Sequence, residues 1–423
     1  MAINWRKAAK VGTSIFDQAW LSGISLLISL VFVRELEKEE FGLYVLLFNT
    51  ALFFQGISGA LLSAPYTTIY PRQPESSRNT VVAIYTHGTV IFSIFAALFS
   101  LVGYFAYSAF FHDSLMTLAT GLGFCACIFG SILKDNIRVF HYSQNNPSSA
   151  LKSNVFYGIL LVISIFLMIH FRAVSAASVL ALIGIASAVV SLPQLMQSTI
   201  FDGIKHGRSR QSEIEKLLIH EFWACGRWAV LGSFVTLLTS NTYPYLAAIS
   251  FSKSEVADIS VARLLSTPIA LVGAAWFNLM RPRLSQWASA RQYEQLDSTV
   301  KKSVAAATLL SISMGATVYF FDDFIRMLFG TKYSNLSTLT LLWTAQAGLA
   351  FIKGIYAATL MTGDAGFKDL SRIGVITLAA TVVVMLIASA MPHSGSIVLA
   401  LALLEIIQIV LIRRKRYRMQ LQR

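Results

Sequence analysis

An apolar run from Val11 to Val33 stands between a basic approach, Arg6, Lys7 and Lys10, and a mostly acidic exit, Arg34-Glu35-Leu36-Glu37-Lys38-Glu39-Glu40. A helix needs about 20 such residues to cross the hydrocarbon core of a bilayer. The run therefore predicts a membrane span, and its flanking charge predicts which end faces the cytoplasm, since lysine and arginine stay on that side. Ser14, Gln18, Ser22, Ser25 and Ser29 recur along it at helical spacing and form one narrow polar face. Asp17 lies beside that face, roughly 10 Å below the cytoplasmic end, at a depth where an unpaired carboxylate is costly. Such a helix is expected to turn this side toward protein or water and not toward lipid.

The rest of the chain repeats the pattern. Of its 423 residues 55% are hydrophobic and only 13% are charged, and the apolar ones gather in blocks. Windows of membrane length predict twelve spans at 11–33, 42–64, 80–108, 114–137, 150–170, 175–197, 223–250, 256–279, 302–321, 337–361, 370–390 and 395–412. The expected fold class is an all-α polytopic membrane protein of about 12 transmembrane helices. An even number puts both termini on one side, and most of the 34 lysines and arginines fall on the side of Arg6, so both are expected in the cytoplasm (N-in, C-in). A net charge of +13 is thus a footprint of topology, not of a nucleic-acid partner. The basic stretch Arg413-Arg414-Lys415-Arg416 is a candidate for holding anionic membrane lipids. Asp17 and Gln18 interrupt what would otherwise be a signal-peptide core, so no cleaved signal is expected. Cys125, Cys127 and Cys225 all lie in or beside apolar segments, which predicts neither disulfides nor a metal cage.

The longest break between spans, from Ser198 to Phe222, falls at mid-chain. It predicts two six-helix bundles, 1–205 and 223–423, joined by a cytoplasmic amphipathic linker at 206–222. Ser212 and Glu215 fit a capping box there, with Ile214, Leu217, Leu218 and Phe222 following at helical spacing, which suggests a short surface helix. A faint internal repeat supports the halving: Lys38-Glu39-Glu40-Phe41-Gly42 is matched by Lys253-Ser254-Glu255-Val256-Ala257. Pro65, Pro193, Pro244 and Pro268 lie in or at the ends of spans, where they either bend helices or reflect how common proline is in membrane helices.

Ionisable residues inside spans are the candidates for function, because a bilayer makes them expensive. Lys353 is the sharpest, near the middle of the tenth span with Gln346 and Tyr356 on its face. Arg263 follows, two turns inside the eighth span. Arg227 near the cytoplasmic end of the seventh and Arg138 closing the fourth are further cations able to meet an anionic ligand, while Asp17 and Glu405 supply the opposite sign. The alternative is that these charges pair with one another inside the bundle, Asp17 with Arg227 for example, or extend to the headgroups. Asn49, Gln55, His87, Asn241 and Asn278 line a cavity or form interhelical hydrogen bonds. Trp20, Tyr104, Tyr107, Phe110 and Phe111 read as an interfacial aromatic belt.

There is no His-Glu-x-x-His, no phosphate-binding loop and no nucleophile elbow. An enzyme is not expected, and neither is a cofactor. What the residues predict is a secondary transporter with cations placed where an anion would pass.

Lys10-Val11-Gly12-Thr13, Arg34-x-Leu36, Glu40-Phe41-Gly42-Leu43-Tyr44, Arg281-Pro282-Arg283-Leu284-Ser285 and Leu328-Phe329-Gly330-Thr331-Lys332-Tyr333 together resemble the polysaccharide transporter (Wzx-type) flippases of the MOP superfamily. Glu37 and Met314-Gly315 depart from that pattern. The resemblance implies two MATE-like six-helix bundles, with a cleft between them that turns a polyprenyl diphosphate-linked oligosaccharide across a bacterial inner membrane for surface polysaccharide assembly. It also implies partners among polysaccharide polymerases and other assembly proteins. Under it Lys353, Arg263, Arg227, Arg138 and Gln346 contact the substrate, and Asp17 or Glu405 binds a coupling proton or sodium ion. The rival readings are a drug or metabolite antiporter of the same superfamily and a membrane polysaccharide polymerase or ligase.

Overall fold

The computed structural model describes residues 5–111, 115–197, 210–329, 332–333, 335–361 and 366–421. Among these no strand occurs. The helices in order are α1 (Trp5–Glu35), α2 (Lys38–Ser58), α3 (Ala64–Ile69), α4 (Glu75–Phe111), α5 (Leu118–Ser143), α6 (Pro147–His170), α7 (Ala176–Gln197), α8 (Arg210–Asn241), α9 (Tyr243–Ser250), α10 (Lys253–Ser289), α11 (Tyr293–Phe320), α12 (Asp322–Phe329), α13 (Leu336–Leu360), α14 (Gly366–Ser389) and α15 (Gly395–Leu421). A π turn, Gly59–Ser63, joins α2 to α3, and a 3-10 turn, Tyr70–Arg72, follows. Local chemistry starts several of these helices. The Thr117 side chain accepts from the Thr120 amide at the head of α5, Asn146 does so for Ser149 ahead of Pro147, and Ser252 does so for Glu255.

Among the described residues ten segments are long and apolar enough to cross a membrane, and the chain is a multi-pass membrane protein. Its outer faces suit lipid. On α4, Ile91, Phe95, Leu98, Phe99 and Val102 recur along one side of the helix and are all exposed, as expected where the surrounding solvent is hydrocarbon. Two of the twelve expected spans, 223–250 and 337–361, are not among the ten. The first is broken at Thr242 between α8 and α9, with Pro244 in the first turn of the second piece. The second is the unbroken 25-residue α13, long enough to cross but diluted by Thr340, Thr344, Gln346 and Lys353. A helix wrapped in protein tolerates that polarity.

By packing, the chain divides into two units, Met1–Leu237 and Leu238–Arg423. Each is built around a central helix. In the first, α5 packs against α2, α4 and α7, and α6 lies against α1 and α7; in the second, α13 packs against α10, α11 and α15, and α14 lies against α9 and α15. The two cores therefore repeat one pairing scheme, helix for helix. The Phe41-Gly42 and Val256-Ala257 pairs that carry the faint sequence repeat are buried in both.

The α5–α7 contact is the tightest crossing. A Cβ on Gly130 would stand 2.0 Å from the Gly184 carbonyl oxygen, and one on Gly184 would stand 2.2 Å from the Ala126 backbone. Only glycine permits this approach, the usual device where helices associate without a hydrophobic driving force.

The mid-chain break differs from expectation. Residues 198–209 of the expected hinge lie outside the described residues. Beyond them α8 runs without interruption from Arg210 to Asn241, so Ser212 falls inside the helix and does not cap a separate surface segment. Gly330 and Thr331 of the Phe-Gly-x-x-Tyr stretch also lie outside the described residues.

Candidate functional site

In the first unit the polar residues converge on Asp17. It is fully buried, and its Oδ2 accepts from Arg138 Nε at 3.0 Å and from the Tyr142 hydroxyl at 2.8 Å, while Oδ1 accepts from Asn154 Nδ2 at 2.6 Å. Arg138 also donates to Gln18 Oε1 at 2.7 Å. The partner of Asp17 is thus Arg138 and not Arg227, the pairing given above as an example. The physical reason is helix length: α5 continues to Ser143, past the expected end at 137, and so carries Arg138 inward beside α1. Trp20, expected in an interfacial belt, instead donates Nε1 to the Asn154 carbonyl at 3.0 Å. Tyr104 is likewise internal, donating to the Thr117 carbonyl at 2.9 Å.

The last turn of the expected span 114–137 holds two charges that sequence reading missed. Lys134 holds its ammonium 4.1 Å from the centre of the Tyr157 ring, and Asp135 shares a hydrogen bond with the Gln55 side chain. Both stand within four residues of the expected span end, where charges pass for an interfacial rim. The available signal was Lys134-x-x-x-Arg138, one helical turn of cations beyond which the apolar pattern resumes at Val139-Phe140.

Deeper in this unit Asn136 organises the π turn. Its Nδ2 donates to Ser58 Oγ at 2.9 Å, and its Oδ1 accepts from Ser63 at 2.8 Å and from the Tyr85 hydroxyl at 2.9 Å. Tyr85 in turn stacks on Tyr66, ring centres 4.1 Å apart. All four polar side chains are satisfied, which rigidifies the bend between α2 and α3.

The second unit holds two separate arrangements. Lys353 Nζ forms an ion pair with Glu405 Oε2 at 2.7 Å, and Gln346 Nε2 donates to Glu405 Oε1 at 3.2 Å. Three residues singled out from sequence thus form one group, joining α13 to α15. Lys353 lies seven residues from the end of α13, about 10 Å, and five residues from its midpoint. Tyr356, on the same face, carries the guanidinium of Arg413 over its ring at 5.6 Å.

Arg263 stands apart from this group. Its guanidinium donates to the Tyr243 hydroxyl at 3.0 Å and lies 5.3 Å from the Tyr243 ring centre and 5.4 Å from that of Trp343. Both rings are buried and meet edge to face at 5.2 Å. The arginine itself is exposed, ten residues into α10, about 15 Å from its start. It meets no carboxylate among the described residues. An aromatic bracket of this kind attracts the cation and fixes its direction without neutralising it.

The remaining candidate, Arg227, is exposed on α8 in the first unit. The basic stretch at Arg413–Arg416 belongs to α15, where Lys415 pairs with Asp369 at 3.1 Å and Arg416 with Asp297. Among the described residues no group of His, Cys, Asp and Glu is arranged to hold a metal ion.

No family model matches the sequence, and no curated protein does. Solved structures do. The chain is similar to the lipid II flippase MurJ in an inward closed conformation, with a TM-score of 0.69 at 12% identity over 96% of this chain and 87% of that one. It is similar to an inward-facing multidrug resistance MATE family transporter of the MOP superfamily, with a TM-score of 0.71 at 12% identity over 93% and 94%. A third likeness is to a MOP superfamily transporter from Pyrococcus furiosus described by the reverse polarity of its binding pocket, with a TM-score of 0.62 at 12% identity over 97% and 96%. This chain is therefore an all-helical, multi-pass membrane protein with the fold of the MOP superfamily transporters.

Proposed function

We propose that the protein is a secondary transporter that turns polyprenyl diphosphate-linked oligosaccharide units across a bacterial inner membrane, with both termini in the cytoplasm, for surface polysaccharide assembly. The observation that carries this reading is Arg263: a cation exposed at membrane depth, aimed by two buried aromatic rings and meeting no internal carboxylate among the described residues. A permanently charged guanidinium at that depth calls for an anion from outside the protein, and a diphosphate matches its planar, bidentate donors. Lys353 with Gln346, Arg138 and Arg227 are further contacts along the passage, and Asp17 or Glu405 is the place for a coupling proton or sodium ion. The Wzx-type motifs and the structural likeness to a lipid II flippase support the same substrate class. The polymerase that consumes the exported units is an expected neighbour in the membrane.

Likeness to MATE transporters makes an antiporter the second reading. Export of a cationic drug requires an acid free to receive it, whereas Asp17 and Glu405 each already hold a basic side chain.

The test is complementation of a deletion strain. Loss of the gene should leave lipid-linked repeat units on the cytoplasmic leaflet, and Arg263→Ala should fail to restore surface polysaccharide while the protein is present at normal level. Full restoration by Arg263→Ala, or a deletion strain in which lipid-linked units reach the outer leaflet unimpeded, overturns the proposal.

A further inference from the structure

The ion pair of Lys353 with Glu405 raises a question that Arg263 does not. If Lys353 receives an anionic headgroup, that position is already filled, because the Glu405 carboxylate lies 2.7 Å from the ammonium and is held there by a second bond from Gln346. The lysine side chain is 27% exposed and the glutamate 12%, so the cation is the more accessible of the two to an arriving headgroup, which must displace the carboxylate to take its place. Two anions cannot share one ammonium in a poorly hydrated site without strong repulsion.

We propose that Glu405 is a built-in stand-in for the substrate phosphate, so that headgroup and carboxylate compete for Lys353 and each headgroup bound there requires one proton to be taken up by Glu405. This deepens the reading under Proposed function and rests on it. The exchange balances in charge. The phosphate oxygen takes the place of Oε2 on the lysine ammonium, and the released carboxylate gains a proton from the cytoplasmic solution and becomes a neutral carboxylic acid. In that form it still accepts from Gln346. When the headgroup leaves, the proton leaves with it and the ion pair re-forms. Binding and proton movement are then linked by competition at one cation, with no separate ion site needed.

Among the described residues the ion pair with Lys353 is the only one that Glu405 makes. α14 carries no charge between Arg372 and Ser389, and α11 carries none between Lys302 and Phe320. On α10, Arg263 is engaged with Tyr243 and Trp343. On α15, Arg413 lies over Tyr356 and Lys415 is paired with Asp369. On α13, only Lys353 is ionisable apart from Tyr356.

The experiment measures binding of a polyprenyl diphospho-N-acetylglucosamine to the purified full-length protein in nanodiscs. Its phosphates are diesters and keep a fixed charge from about pH 6 to about pH 8, so any pH dependence belongs to the protein. Wild type should lose about tenfold in affinity for each unit rise in pH, the slope of one linked proton. Glu405→Gln, which keeps the hydrogen-bonding shape and removes the titration, should bind at least as tightly as wild type at low pH and show a flat profile. Lys353→Met should bind weakly with a flat profile, and thermal melting should verify that each variant is folded. An equal pH slope in wild type and Glu405→Gln overturns the exchange while leaving the headgroup reading intact, provided Arg263→Ala still abolishes binding. Absence of binding by wild type, or binding indifferent to Arg263→Ala, overturns the headgroup reading and the exchange with it.

Discussion

Arg138 Nε stands 3.0 Å from Asp17 Oδ2 and ties α1 to α5 across 121 residues of chain. Asp17 is fully buried while the Arg138 side chain is 24% exposed, so the two ends of the pair differ in what their loss exposes. The carboxylate serves three donors at once, and removing it leaves Arg138, Tyr142 and Asn154 without their acceptor.

Asp17→Ala should therefore destabilise the protein by roughly 3 kcal/mol, the lower end of the range for breaking a buried pair because Arg138 keeps some access to water. Thermal unfolding in detergent measures it. Combining Asp17→Leu with Arg138→Met should recover much of that loss, since replacing both partners by apolar groups of similar size is often close to neutral. A double variant less stable than either single one would mean that the pair is not the interaction holding α1.

The aromatic bracket around Arg263 is separable from its charge. Tyr243→Phe keeps the ring and removes the hydroxyl that accepts from the guanidinium, so transport should fall about tenfold or somewhat more, the worth of one hydrogen bond to a charged group. The ring still holds the cation by its face, so melting temperature should change little. Initial rates of export from inverted vesicles, together with a melt, distinguish this from a folding defect.

Asn136 holds the π turn by bonding Ser58, Ser63 and Tyr85. Asn136→Leu leaves the Ser58 hydroxyl without its donor, while Tyr85 keeps the carbonyl of residue 136 and Ser63 keeps the Tyr85 hydroxyl, and it should cost about 1–3 kcal/mol. Asn136→Asp keeps the acceptor and loses the donor to Ser58. It should be worse than Asn136→Leu, because it adds an unpaired charge to a buried position. Equal melting temperatures for the two variants would show that water reaches this network.

Gly184→Val sets a side chain against the Ala126 backbone, 2.2 Å away, and the backbone of a helix has nowhere to move. It should cost about 3 kcal/mol or more and lower the yield of folded protein. Gly103→Ala, where an added Cβ meets nothing within 4 Å, is the control and should leave yield and melting unchanged. Size-exclusion profiles of the two variants check the contrast.

Much of the molecule was legible before any coordinates. Long apolar runs bounded by charge can only be spans, because a bilayer offers no partner for an unpaired peptide group; the all-helical, multi-pass class follows from that alone. The ionisable residues worth attention were also visible, since charge inside such a run is too costly to be incidental. Sequence placed Lys353, Gln346 and Glu405 in spans, yet nothing in their order says that α13 and α15 lie side by side and make one group of them. It set Asp17 beside the wrong arginine, because pairing depends on which helix is a neighbour and on how far α5 continues past its apolar stretch. Lys134 and Asp135 were passed over because charges so near a span end pass for an interfacial rim. Hydropathy reports transfer free energy residue by residue, and it therefore sees the cost of a charge; which opposite charge or aromatic face offsets that cost is decided by contacts between segments distant in the chain, and those exist only once the helices have packed.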